Sequence, residues 1–188
     1  SPRILTWLQQ QRGPLTVMPE AWAQPMREVE QRFDAIGKDV ARYLYAHSFG
    51  SADAHIVKLW TDHASPWQAA IIRATYPLMR WVFKQKLHIR PARVLLAEDR
   101  IRLAMDWLDR EIADGRQYLV GDRLTVADIT AAALLAPLAC PSQHPVYGDA
   151  AYREGMKQAV APWSQRPAMA WVRRMYDNHR GQMKGGVF

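Results

Sequence analysis

Six histidines and one cysteine are the residues of this 188-residue chain best suited to hold a metal or act as an activated nucleophile. His47, His55 and His63 recur at eight-residue steps. A helical metal pair needs two imidazoles one turn apart, and a zinc finger needs its own Cys and His spacing, so neither pattern is met. The three therefore read as surface or partly buried histidines, and no metal site is expected. Cys140 follows an apolar run and has no basic neighbour in sequence to lower its thiol pKa, which makes it a packing residue. No glycine-rich phosphate loop, dinucleotide fingerprint or nucleophile elbow occurs. Residue chemistry alone names no reaction.

Charge narrows the partners. The chain carries a formal net charge of +7, and between His63 and Ala97 there is no Asp or Glu, while Arg73, Arg80, Lys84, Lys86, Arg90 and Arg93 all fall there. A nucleic-acid surface would interleave such charges with stacking aromatics or carry a reader motif, and neither is present. The segment reads as the solvated face of an amphipathic helix, or as a weak field that draws in a small anion. A single cysteine permits no internal disulfide and fits a reducing compartment, so the cytoplasm is the expected location. The longest uncharged run, residues 129–148, is interrupted by Pro137, Pro141 and Pro145, and no signal peptide is recognised. Neither nucleic acid nor a membrane is expected as a partner.

The elements that could position a site are all helical. The stretch from Gly121 to Ile129 spells out a helix start: Leu124 before the cap, Thr125 as N-cap, Asp128 three residues on, then Ile129. That is a capping box with a hydrophobic staple. From Ile129 to Ala139 the only polar residue is Thr130, so the helix should be apolar on every side and lie at the centre of the protein. Met26, Val29, Phe33, Ile36, Val40 and Leu44 recur at helical steps and predict a long helix over residues 25–47, with Gly50 to Asp53 as a break. Ser65 to Gln68 forms a second capping box, opening a helix that Pro77 should kink. Another helix begins near Pro91 and ends at Gly115, with Val94, Ile101, Leu108 and Ile112 on one face. A short helix around residues 152–160 and a last one over residues 167–178 complete the pattern. No alternating strand appears, and the fold class is all-α.

The run from Tyr118 to Ile129, with its Gly-Asp ahead of the cap and an alanine-rich helix after it, resembles the signature of the C-terminal domain of the glutathione S-transferase family. The long preceding helices, the Pro167-Ala-Met-Ala-Trp-Val172 stretch and the length agree with it. The resemblance implies a helical bundle around a buried central helix starting at Thr125. The first residues, Ser1 to Leu8, resemble the start of the last helix of that family's thioredoxin-like N-terminal domain. Residues 1–12 would then be that helix, residues 13–24 a linker, and residues 25–188 the helical domain. By that match Ser1 would bind the γ-glutamyl carboxylate of glutathione at a helix N-terminus. The other reading of Ser1 is a cloning scar before an ordinary helix.

The same match places the catalytic residue upstream of Ser1, so that this chain by itself would be inactive. What remains would be one edge of the glutathione site and the wall of the electrophile pocket, with Arg42, Tyr43 and His47 on the first long helix and Trp67 and Tyr76 on the next as candidates. Arg80 could instead lie at a dimer interface, since family members usually pair through these helices. Two functions follow. One is a transferase, taking glutathione as co-substrate and a small hydrophobic electrophile and acting as a homodimer. The other is a non-catalytic docking module built on the same domain. Thr125 and Asp128 count as structure in either case.

Overall fold

The computed structural model describes residues 15–50 and 53–180, together with Trp7 and Gln11 and with the side chains of His55 and Leu59 excepted. Ser1 and all of the expected first helix except Trp7 and Gln11 lie outside this description. Seven α-helices are present among the described residues: α1 (Ala23–Ser48), α2 (Asp53–Thr61), α3 (Pro66–Lys86), α4 (Pro91–Glu111), α5 (Val126–Ala139), α6 (Ala150–Val160) and α7 (Pro167–His179), with a short 3-10 turn at Glu20–Trp22. No strand occurs among them.

The predicted apolar stripe of α1 is the one that packs. Met26, Val29, Phe33, Ile36 and Val40 are buried, Leu44 is partly buried against the core with buried Tyr43 beside it, and α1 lies against both α4 and α5. Each such side chain contributes about 1.5–3 kcal/mol on leaving water. Gly37 faces α5, where an added Cβ would stand 3.2 Å from Leu134 Cδ2. The low helix propensity of glycine thus accompanies a close approach of the two helices. Ile101, Ala104, Met105 and Leu108 give α4 its inner face, and Met169, Trp171, Val172 and Met175 do so for α7, which packs on α5.

Two expectations are corrected. Residues 53–61 form a helix, α2, where only a break was read at Gly50 to Asp53. Nine residues are too few to be helical on propensity alone, and α2 is held instead by the rings of Trp60, Tyr76 and Phe83, with Phe83 stacked 5.6 Å from Tyr45 of α1. Helix α3 continues through Pro77, the residue at which a kink was expected. The missing bond frees only the carbonyl of exposed Arg73, which water can satisfy. The second correction concerns α5, which is not enclosed on every side. Asp128, Ala131, Ala132, Leu135 and Ala136 are buried, yet Ile129 is 44 % exposed and Ala133 one turn on is exposed as well.

Candidate functional site

The first turn of α5 is built around one carboxylate. Thr125 and Asp128 are both fully buried. Asp128 Oδ2 accepts from the Thr125 backbone N–H and from its hydroxyl, each at 2.8 Å, while Oδ1 accepts from the Leu119 N–H at 2.7 Å. Both halves of the capping box are closed. Asp128 therefore also ties the segment ahead of the helix to it, a bond that the box pattern does not announce. Burial pushes the Asp128 carboxyl above its ordinary value, against the pull of these donors toward the carboxylate form. A further orphan donor of the turn, the N–H of Val126, reaches the Val17 carbonyl at 2.9 Å. The connector before α1 is thereby fastened to the central helix.

Gly121 in the same signature takes φ 71°, and a Cβ there would fall inside the ring of Trp22. Only glycine meets both conditions. The Arg123 guanidinium lies 5.3 Å from the centre of that ring. Beside the cap, Leu124, Ile129, Ala133, Met175 and Tyr176 line a concavity of about 270 Å³ whose rim carries His179 and Arg180. Its lining is mostly apolar, and Arg180 brings a guanidinium to it. His179 Nε2 is 3.2 Å from the Tyr118 hydroxyl.

The five residues predicted for a pocket wall do not converge on one cavity. Arg42 is held between the Leu87 carbonyl at 2.6 Å and the carboxylate of Asp39. Tyr43 is 3 % exposed, donates its hydroxyl to the Ala159 carbonyl at 2.8 Å and meets Trp163 edge-on at 5.8 Å. Desolvation keeps its phenol above the ordinary pKa. His47 lies one turn further, exposed, its ring 4.4 Å from that of Tyr43. On α3, Trp67 and Tyr76 are nine residues apart and so point to opposite sides. Trp67 is exposed, whereas Tyr76 donates to Asp53 at 2.6 Å, with Arg80 at 2.5 Å on the other carboxylate oxygen. Burial comes first in raising the Tyr76 phenol, and the Asp53 carboxylate adds to it; the hydroxyl stays protonated and latches α2 to α3. Arg80 is thus engaged within the chain.

The fold, the buried cap and the glycine before it can be set beside known proteins. The family model described as glutathione S-transferase, C-terminal domain, matches residues 30–174. The chain belongs to this family. No curated protein and no solved structure matched the chain. In this glutathione S-transferase domain the cap residues Leu124, Thr125, Asp128 and Ile129 sit where sequence spacing puts them. Others carried no local signal. The link from Val17 to Val126 joins backbone atoms of residues far apart in sequence. The ring of Trp22 beneath Gly121 is a tertiary contact, and the glycine itself was its only trace.

Among the described residues no group of three or more His, Cys, Asp or Glu is arranged to hold a metal. Cys140 is half-buried, takes the left-handed conformation at the end of α5 (φ 49°) and directs its thiol to the Pro137 carbonyl at 3.5 Å. Burial raises its pKa, which disfavours the thiolate.

Proposed function

We propose that this chain is the helical half of a glutathione transferase whose parent protein joins glutathione to a small hydrophobic electrophile. The observation that carries this reading is the family match across residues 30–174, a span that includes the buried Thr125 and Asp128 cap. In the reaction the glutathione thiol gives up its proton, and the thiolate sulfur forms a bond to an electrophilic carbon as that carbon's leaving group departs with the bonding pair. The group that stabilises the thiolate is expected upstream of Ser1. Ser1 would hold the γ-glutamyl carboxylate, with its hydroxyl and backbone N–H as donors.

The pocket wall is assigned to the C-terminal half of α1 and to α3. Trp67 lies on the far side of α3 from Tyr76 and is left out of the wall, whereas His47 offers exposed surface and Arg42 is partly open. Tyr43 and Tyr76 stand behind them, fixing α1 to α6 and α3 to α2 through their hydroxyls. Pairing into a homodimer fits the groove of about 600 Å³ between α1 and α4, where Glu28, Arg32 and Arg100 accompany Leu103. Charges of both signs on one face suit a self-complementary contact. A reducing location such as the cytoplasm accords with the single cysteine.

Glutathione titrated into the parent protein tests this reading. Binding that weakens roughly 10- to 100-fold in Ser1→Ala, the range for a lost bond to a charged group, supports it. Equal affinity in the variant removes Ser1 from the site, and no binding by the parent leaves the docking-module reading in its place.

A further inference from the structure

Helix α3 has two apolar faces, and only one of them is used. Ala69, Tyr76 and Phe83 turn inward, toward α2 and the ring of Tyr45. On the opposite side Trp67, Ile71, Leu78 and Trp81 follow one another at four-, seven- and three-residue steps and are 65 %, 52 %, 62 % and 58 % exposed. These steps keep all four on one stripe, and its two tryptophans stand about 21 Å apart at a rise of 1.5 Å per residue. At the first of them the stripe widens into an open crevice formed with Trp60, His63 and Ile72. So much contiguous apolar surface marks an interaction site.

The charges around the stripe select its occupant. On α3 itself Arg73, Lys84 and Lys86 are exposed and none forms an ion pair among the described residues, exposed Arg90 and Arg93 follow at the start of α4, and no Asp or Glu lies between His63 and Ala97 to offset them. A second copy docked stripe to stripe would set these cations against their own images. Nucleic acid would answer the charge and leave the aliphatic side chains in water. A bilayer surface that contains anionic lipid presents acyl chains and negative headgroups at neighbouring depths, and tryptophan is enriched at that boundary. No helix among the described residues is long and apolar enough to cross a membrane. We infer that α3 is a peripheral membrane-docking helix, which lies in the plane of an anionic bilayer with Trp67, Ile71, Leu78 and Trp81 among the acyl chains and the basic side chains at the phosphates. This departs from the sequence-based expectation of no membrane partner, which rested on the prolines that interrupt residues 129–148 and on the lack of a recognised signal peptide, and so addressed spanning segments rather than a helix lying on the surface.

Co-flotation of the full chain with vesicles tests the inference. In vesicles of phosphatidylcholine with about 30 % phosphatidylglycerol at low salt the protein floats, and partition falls about tenfold or more in pure phosphatidylcholine or in roughly 0.5 M salt. The variant Trp67→Gln/Leu78→Gln/Trp81→Gln changes only exposed side chains, keeps its helical circular dichroism and loses at least about tenfold in partition. The charge variant Arg73→Glu/Lys84→Glu/Lys86→Glu loses it as well. The inference is overturned if the unaltered chain stays with the soluble fraction, or if the triple glutamine variant floats equally well, which would make the adsorption purely electrostatic. It is also overturned if sedimentation shows a dimer that the triple glutamine variant dissociates, since the stripe would then be covered by a second copy.

Discussion

The indole of Trp22 occupies the space that any side chain on residue 121 would need. Residue 121 is also held at φ 71°, so two independent constraints fall on one glycine. Gly121→Ala should destabilise the domain by roughly 2–4 kcal/mol, from overpacking and a strained backbone together. Trp22→Ala should relieve the first component only. Urea midpoints of the two single variants and the double variant would then show a coupling of about 1–2 kcal/mol, and strict additivity would mean that the ring and the glycine do not share space.

Asp128 satisfies two backbone donors and a hydroxyl inside the protein. Removing it strands buried N–H groups at about 1–3 kcal/mol each, beyond the roughly 1 kcal/mol of a solvent-exposed cap. Asp128→Ala is expected to lower the melting temperature by about 5–10 °C, with Asp128→Asn falling between it and the parent because one acceptor oxygen remains. A variant that melts with the parent would show that these donors find other partners.

How much of this was legible in the sequence depended on how local each cause is. The Thr125 and Asp128 pair could be read because a capping box is completed within four residues, and the core stripe of α1 because six apolar residues follow one another at helical steps. Helix α2 could not be, since its stability comes from the rings of Tyr45, Tyr76 and Phe83 on other helices. The open side of α5 was hidden by its own composition: a helix apolar all round carries no record of which side its neighbours leave uncovered. The two faces of α3 were hidden similarly, because periodicity groups residues without saying which group meets the core. Of the candidate wall, spacing placed Tyr43 and His47 one turn apart with Arg42 next to the first, but did not show that the Tyr43 hydroxyl is spent on Ala159.

His144 organises the loop between α5 and α6, where no function was read. Its Nδ1 accepts from the N–H groups of Val146 and Tyr147 at 3.1 Å each, and its ring stacks on Tyr147 at 4.1 Å. The chain turns tightly enough that a Cβ on Gly148 would stand 2.6–2.7 Å from three carbonyl oxygens. Burial holds the His144 pKa below its ordinary 6.5, with Arg180 adding to the effect. An unfolded chain therefore takes up this proton before the folded one does. The contribution of His144 is present above pH 6.5 and is lost as the pH falls through the folded value. The stability difference between the parent and His144→Ala, taken from urea melts at several pH values, should shrink on acidification from pH 7.5. A difference that grew instead would reverse the assignment.

Asp109 does two tasks for α7. It accepts from Arg166 Nε at 2.9 Å and from the Ala168 N–H at 2.6 Å, whereas Asp106 meets only the Arg166 guanidinium. Desolvation of Arg166 is outweighed by these carboxylates, which raise its pKa. Asp109→Ala should thus cost more than Asp106→Ala, about 2 against about 1 kcal/mol or less, because only the first strands a helix N-terminal donor. Equal losses in thermal melts would show that the Ala168 bond contributes little.

The most direct test of the account is the rate at which the parent protein conjugates glutathione to apolar electrophiles such as an activated aryl halide. It should show saturable, glutathione-dependent turnover, with His47→Ala raising KM for the electrophile while KM for glutathione stays unchanged. A parent protein that is folded yet neither turns over any of a panel of such electrophiles nor binds glutathione would contradict the transferase assignment.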